Sequence, residues 1–294
     1  MTAHSVSLSS ARFSDYMELS KARLVSLVLL SAAVGFFLAS PAGLDIPLFL
    51  VSLAGTACVA AGSMSLNQWM ERREDAVMTR TAARPLPAGR MQPSEALLFG
   101  AGISLAGLLI LFFAVNPVSA FLAALTLVSY LLLYTPMKRK TSLCTLVGAL
   151  PGALPPLIGW AAATGKTSFE AWLIFTIMFL WQMPHFLAIA WICRKEYQSA
   201  GFQMLSVTDP TGVQVGRQII LYAFALLPVS LLPSILGLTG RFYFFGALIL
   251  GLWVAVLSFK SSRDLDKNAR SFFRASILYL ACLLLLMVLD KRAS

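Results

Sequence analysis

Residues 46–75 read IPLFLVSLAGTACVAAGSMSLNQWMERRED. No charged residue precedes Glu71, and then acids and arginines crowd together. The apolar part, 46–68, is long enough as a helix to cross the roughly 30 Å hydrocarbon core of a bilayer. The segment therefore predicts a spanning helix that delivers polar side chains to a membrane surface.

Further apolar runs lie at 22–40, 95–114, 117–134, 143–163, 170–192, 218–237, 241–259 and 272–289. With 46–68 they predict about nine transmembrane helices, an all-α polytopic membrane protein. The composition agrees: 58% of the residues are hydrophobic, 12% are charged and the mean hydropathy is +0.78. Soluble domains carry roughly 25% charged residues. Nine helices and short turns such as SPAGLDIP (40–47) and VNP (115–117) account for the 294 residues. The chain thus reads as one transmembrane domain over 1–294, with 1–20 a short N-terminal segment. MTAHSVSLSSARFSDYMELSKAR lacks the apolar core of a signal peptide, and its acids argue against a mitochondrial presequence. Cys58, Cys144, Cys193 and Cys282 form no CxxC and read as packing residues.

A net charge of +10 on a soluble protein would point to nucleic acid. Here the charges occupy loops between apolar runs, so topology and anionic ligands explain them better, and no nucleic-acid partner is expected. Of the 23 basic residues, 19 lie on one side: near the N-terminus, in 72–90, in 138–140, in 194–217 and in 260–274. Lys166, Arg241, Lys291 and Arg292 lie on the other. This bias predicts a cytoplasmic N-terminus, an outside C-terminus and an odd number of spans in a bacterial cytoplasmic (inner) membrane. The cytoplasmic loops 71–94 and 193–217 are the long ones, and long loops in an economical chain tend to be functional.

Three segments carry candidate chemistry. In the first, Asn67, Glu71 and Asp75 recur every four residues and share one helix face. Hard oxygen donors at a membrane boundary suit Mg²⁺, which takes carboxylates together with substrate phosphate oxygens. Arg80, Arg84 and Arg90 follow closely, as a metal–diphosphate site requires. A solvated, salt-bridged helix end is the plainer reading of the same charges, but Asn67 lies within the apolar run, where polar groups are expensive. In the second segment, Gln182 and His185 sit one turn apart among Trp181 and Phe186, and Pro184 is expected to break the helix there. Glu196 lies in the loop below. The competing reading is a hydrogen-bonded core histidine. In the third, Tyr134 ends the fourth run, and Lys138, Arg139 and Lys140 follow. Pro151, Pro155, Pro156, Gly148, Gly152 and Gly159 are expected to loosen the fifth helix and let a bulky ligand approach its backbone.

Together these blocks resemble the protoheme IX farnesyltransferase family, the haem branch of the UbiA superfamily of intramembrane prenyltransferases. The stretches are NQWMERREDAVMTRTAARPL, YTPMKRKT, ALPPLIGWAA, and WQMPHF followed by EYQSAGFQML. The resemblance covers about residues 15–290. It implies a helical bundle around a central cavity, farnesyl diphosphate and haem B as substrates, haem O and diphosphate as products, and Mg²⁺ as cofactor. It implies catalytic roles for Asn67, Glu71, Asp75, Arg80 and Arg84, the first three holding metal. It places Tyr134, Lys138, Arg139, Gln182, His185, Glu196 and Tyr197 around the substrates. Haem A synthase or oxidase assembly factors would be partners. Two departures stand out. Many bacterial members have Asp where this chain has Glu71, and the second Asp-rich motif of other superfamily branches reads CRKEYQSAG here, with Glu196 its one acid. The second departure favours haem over an aromatic quinone- or chlorophyll-type acceptor. A cation-coupled transporter or lipid-binding membrane module is the alternative outside enzymes. Against the transporter stands the lack of paired, Gly/Pro-interrupted helices in matching halves.

Overall fold

The computed structural model describes residues 12–40 and 43–292. The predicted segment 1–20 is therefore described from Arg12 onward, and Pro41 and Ala42 of the SPAGLDIP turn lie outside the described residues. Nine helices among the described residues are long and apolar enough to cross a membrane. They are α1 (Ala22–Ala39), α2 (Ile46–Met70), α3 (Pro93–Val115), α4 (Pro117–Met137), α5 (Cys144–Thr164), α6 (Phe169–Ile192), α7 (Val213–Ile235), α8 (Arg241–Arg263) and α9 (Leu265–Leu289). The chain is a multi-pass membrane protein.

Several helices extend past their apolar runs at the basic end. α9 begins at Leu265 rather than 272, because Asp264 accepts from the Lys267 amide at 3.0 Å and caps the helix there. α7 begins at Val213 rather than 218, its first amides received by Asp209, with Gln214 N at 2.7 Å and Val215 N at 3.0 Å. Caps act outside the hydrocarbon, so hydropathy alone does not mark these ends. The long loops also hold short helices: Arg72–Val77, Arg194–Ser199 and Leu205–Thr208.

The helices pack in sequence around the bundle, α1 on α2 and α5, α2 on α3, α4 on α5, α5 on α6, and α6 through α9 on one another. α9 returns to α1, and Lys291 closes that seam by donating to the Phe37 carbonyl at 2.7 Å. α5 is the central post: 72% of its spanning window is buried in protein, against 22% for α3. This corrects the expectation of a loosened fifth helix. α5 runs unbroken through Pro151, Pro155 and Pro156, and its small residues admit neighbouring helices. A Cβ at Gly159 would overlap the Ala32 carbonyl of α1, and one at Gly35 would overlap the Pro156 carbonyl. α6 is likewise continuous through Pro184, so the predicted break is absent. Neighbouring helices on several sides let such proline-containing helices continue.

Candidate active site

The polar end of α2 continues almost without interruption into Arg72–Val77. The Glu71 amide donates to the Asn67 carbonyl at 2.9 Å and the Asp75 amide to the Glu71 carbonyl at 2.8 Å. Asn67, Glu71 and Asp75 therefore do share one face, and all three are buried, at 2%, 5% and 1% exposure. Burial of all three sets aside the plainer reading of a solvated helix end.

Each buried carboxylate is met by a cation from a different segment. Lys138 Nζ lies 2.8 and 2.9 Å from the two Glu71 carboxylate oxygens, and Arg84 Nη1 lies 2.7 Å from Asp75 Oδ2. A buried charge survives only with such a partner. Burial works against the Lys138 charge, yet Tyr134 and then Glu71 leave its pKa raised above the ordinary lysine value. The ammonium also lies 4.6 Å from the Tyr134 ring centroid. The last turns of α4 widen to π geometry over Ser129–Tyr134, which stacks Tyr130 on Tyr134 at 5.6 Å. A Cβ at Gly148 would strike the Tyr134 ring, so α5 supplies the floor beneath it.

Sequence reasoning missed Lys21 and Thr135. Lys21 is the one non-glycine residue with positive φ among the described residues, at 51°. That turn aims its half-buried ammonium at Asn67 Oδ1, 3.5 Å away. Burial first, then Arg84 and Lys138, push its pKa down to about 7. Lys21 forms no ion pair of its own among the described residues, so the cage holds three basic side chains against two carboxylates. Its position at the start of a span already had a topological explanation, which hid it. Thr135 Oγ1 receives Asn67 Nδ2 at 3.1 Å and fixes the amide's orientation.

The remaining predicted residues separate. Glu196 reaches the cage indirectly, its Oε2 accepting from the Arg80 amide at 3.0 Å and tying loop 78–90 to the short helix Arg194–Ser199. Tyr197 belongs to that helix, and burial raises its hydroxyl's pKa, so it stands as a neutral donor. Arg90 is corrected: it binds Asp15 and Glu18 and anchors the N-terminal helix Phe13–Leu19. Arg139 also turns away, pairing with Glu74. Gln182 lies about ten residues, roughly 15 Å, below the end of α6. It is 2% exposed, packs over Gly152 of α5, and among the described residues neither its amide nitrogen nor its oxygen has a hydrogen-bond partner. An unpaired buried amide is costly and marks a place where a polar ligand or water belongs. His185 faces the other way, toward α9. Its Nδ1 is 2.8 Å from Ser276 Oγ, and its ring stacks between Trp181 and Phe273 at 4.8 and 4.6 Å.

Asn67, Glu71 and Asp75 offer only hard oxygen donors, the chemistry Mg²⁺ takes. No group of three His, Cys, Asp or Glu among the described residues forms a closed metal cage. The donor set therefore fits an ion that shares its coordination with a substrate, as Mg²⁺ does with phosphates.

The UbiA prenyltransferase family profile matches residues 28–278. The chain is 46% identical over 287 residues to the protoheme IX farnesyltransferase of Solibacter usitatus, covering 94% of this chain and 98% of that one. It is 42% identical to the enzyme of that name from Opitutus terrae, covering 96% of each. Among solved structures, a digeranylgeranylglyceryl phosphate synthase superposes with a TM-score of 0.79 at 18% identity, over 94% of this chain and 97% of that one. A UbiA homologue from Archaeoglobus fulgidus bound to DMAPP and Mg²⁺ superposes with a TM-score of 0.71 at 16% identity, over 93% and 99%.

Proposed function

The chain belongs to the UbiA prenyltransferase family, and from that premise we propose that it transfers the farnesyl group of farnesyl diphosphate to a vinyl group of haem B, giving haem O and diphosphate. The observation that carries the donor half is the buried cage, in which Glu71 and Asp75 are each held by a cation and Lys21, without a carboxylate partner among the described residues, stands beside them. Such a cage lacks an anion. The acceptor half rests on relatives 46% and 42% identical that bear this activity's name.

Asn67, Glu71 and Asp75 would hold Mg²⁺, which supplies charge screening for the departing diphosphate. Arg84 and Lys138 would then turn from the carboxylates, and Lys21 from the Asn67 amide oxygen, to the diphosphate oxygens, with Arg80 at the edge of the Arg84 loop. Electrostatic stabilisation of this kind is usually the largest catalytic term. The C1–O bond breaks, the bonding pair leaves with diphosphate, and the vinyl π electrons of haem capture the allylic cation at C1. Water adds to the new cation and loses a proton, leaving the hydroxyl. The apolar bundle keeps water from the first cation, and Tyr130 and Tyr134 present ring faces beside the cage. Gln182, on the α5 side of α6, lines the acceptor space, and His185 stands on the α9 side of the same helix. Ser276 engages Nδ1, so Nε2 of His185 is the nitrogen that meets haem, at iron or at a propionate.

The basic end faces the cytoplasm of a bacterial cell and the chain acts as one transmembrane unit in its cytoplasmic membrane. Incubating the purified protein with haem B, farnesyl diphosphate and Mg²⁺, followed by mass analysis of the haem, tests the reading. The expected product is haem in which one vinyl group has become a hydroxyethylfarnesyl group. Unchanged haem, with transfer to an aromatic acceptor instead, would move the protein to another branch.

A further inference from the structure

A second pocket, of about 370 Å³, lies between the ends of α2 and α4. Its lining includes Arg72, Arg139, Lys140, Trp69, Pro136 and Thr135. None of its three cations touches Glu71 or Asp75, whose partners are Lys138 and Arg84. One carboxylate opposes them, Glu74 in its pair with Arg139. Arg72 is set in place: its Nη1 donates to the Trp69 carbonyl at 2.7 Å and its guanidinium lies 5.3 Å from the centroid of the Trp69 ring. One turn back along α4, Leu132 and Leu133 are 64% and 49% exposed. A tryptophan and cations above an exposed apolar helix face form the boundary between headgroup and acyl chain.

We propose that this pocket seats the headgroup phosphate of an anionic phospholipid, with its acyl chains along Leu132 and Leu133, and that the lipid steadies Asn67 through Thr135. The excess of cations selects an anion. The apolar flank favours a lipid over free phosphate, which has no use for Leu132 and Leu133. The link to the neighbouring site is one side chain long. Thr135 lines the pocket and receives the Asn67 amide on its hydroxyl.

Native mass spectrometry of the purified protein with added phosphatidylglycerol or phosphatidylcholine tests the seat without turnover, so it stands apart from the farnesyl-transfer reading. Phosphatidylglycerol should be retained preferentially, and the Arg72→Ala/Lys140→Ala double variant should retain roughly 10-fold less. Arg72→Gln and Lys140→Gln, read singly, replace the double variant if it melts early. Equal retention by the variants and the parent protein, or equal retention of the two lipids, overturns the seat. Displacement by millimolar inorganic phosphate as readily as by excess lipid assigns it to free phosphate instead. Thr135→Val tests the coupling: it should keep the lipid but lose any dependence of donor KM on phosphatidylglycerol. A Thr135→Val protein whose KM still follows the lipid overturns that part.

Discussion

Asp75 is 1% exposed, and its carboxylate is held by Arg84 at 2.7 Å. Asp75→Asn should therefore cost both turnover and stability. Losing one partner of a buried pair costs roughly 3–5 kcal/mol, and the 20% exposure of the Arg84 side chain puts this case at the lower end. A lowered melting temperature together with lost turnover at limiting Mg²⁺ is the expected pair of results, and full turnover would place the metal elsewhere. Lys21→Met removes a cation without a carboxylate of its own. It should raise the donor KM roughly 10-fold, the scale of one charge-assisted bond, while leaving the ligand-free melting temperature unchanged or higher. Arg84→Ala and His185→Ala separate the two substrates. The first should weaken a non-hydrolysable farnesyl diphosphate analogue by roughly 10-fold or more and spare haem. The second should change the haem spectrum and spare the analogue. A histidine serving only its contact with Ser276 would instead lose both ligands together on unfolding, visible in titrations of the purified variants.

At the scale of elements, α5 organises the bundle through absent side chains. Gly159→Ala would drive a methyl into the Ala32 carbonyl and pry α1 from α5. Overpacking against backbone should cost about 1–3 kcal/mol or more, read as a lower melting temperature. Gly102→Ala is the control, since nothing lies within 4 Å of the added methyl on α3. There the substitution should be neutral or stabilise by about 0.5–1 kcal/mol through helix propensity. Equal effects at the two positions would refute the packing role. The number and order of the spans were legible in the apolar runs because hydrocarbon contact demands them. The starts of α7 and α9 were not, because Asp209 and Asp264 set them outside the hydrocarbon. Proline was misleading in α5 and α6 for a related reason. It breaks a helix standing alone, whereas α5 and α6, packed against neighbouring helices, continue through it.

For the whole molecule, the basic end and the cage coincide. A reporter fused near Ala88 should read as cytoplasmic, and one near Lys166 as external. The reverse result would put the proposed diphosphate site on the external face and overturn the orientation read from the basic residues. Closure of the bundle is also testable. Lys291 caps the end of α1 from beyond α9, so Lys291→Ala should loosen that seam and lower the melting temperature, with the cage at the far end unaffected.

The sequence by itself determined the spans, the side on which charge collects and the helix face shared by Asn67, Glu71 and Asp75. Each of these follows from periodicity or from transfer into hydrocarbon, which act on residues near one another in the chain. The tertiary structure decided which cation serves which carboxylate. Arg80, Arg84 and Arg90 look alike in the sequence, yet Arg84 meets Asp75, Arg90 leaves for Asp15 and Glu18, and Arg80 offers Glu196 its backbone. Lys138 and Arg139 are neighbours that part toward Glu71 and Glu74. Ion pairing acts over a few ångströms in space, and its partners come from segments up to 75 residues apart, so spacing along the chain carries no record of them.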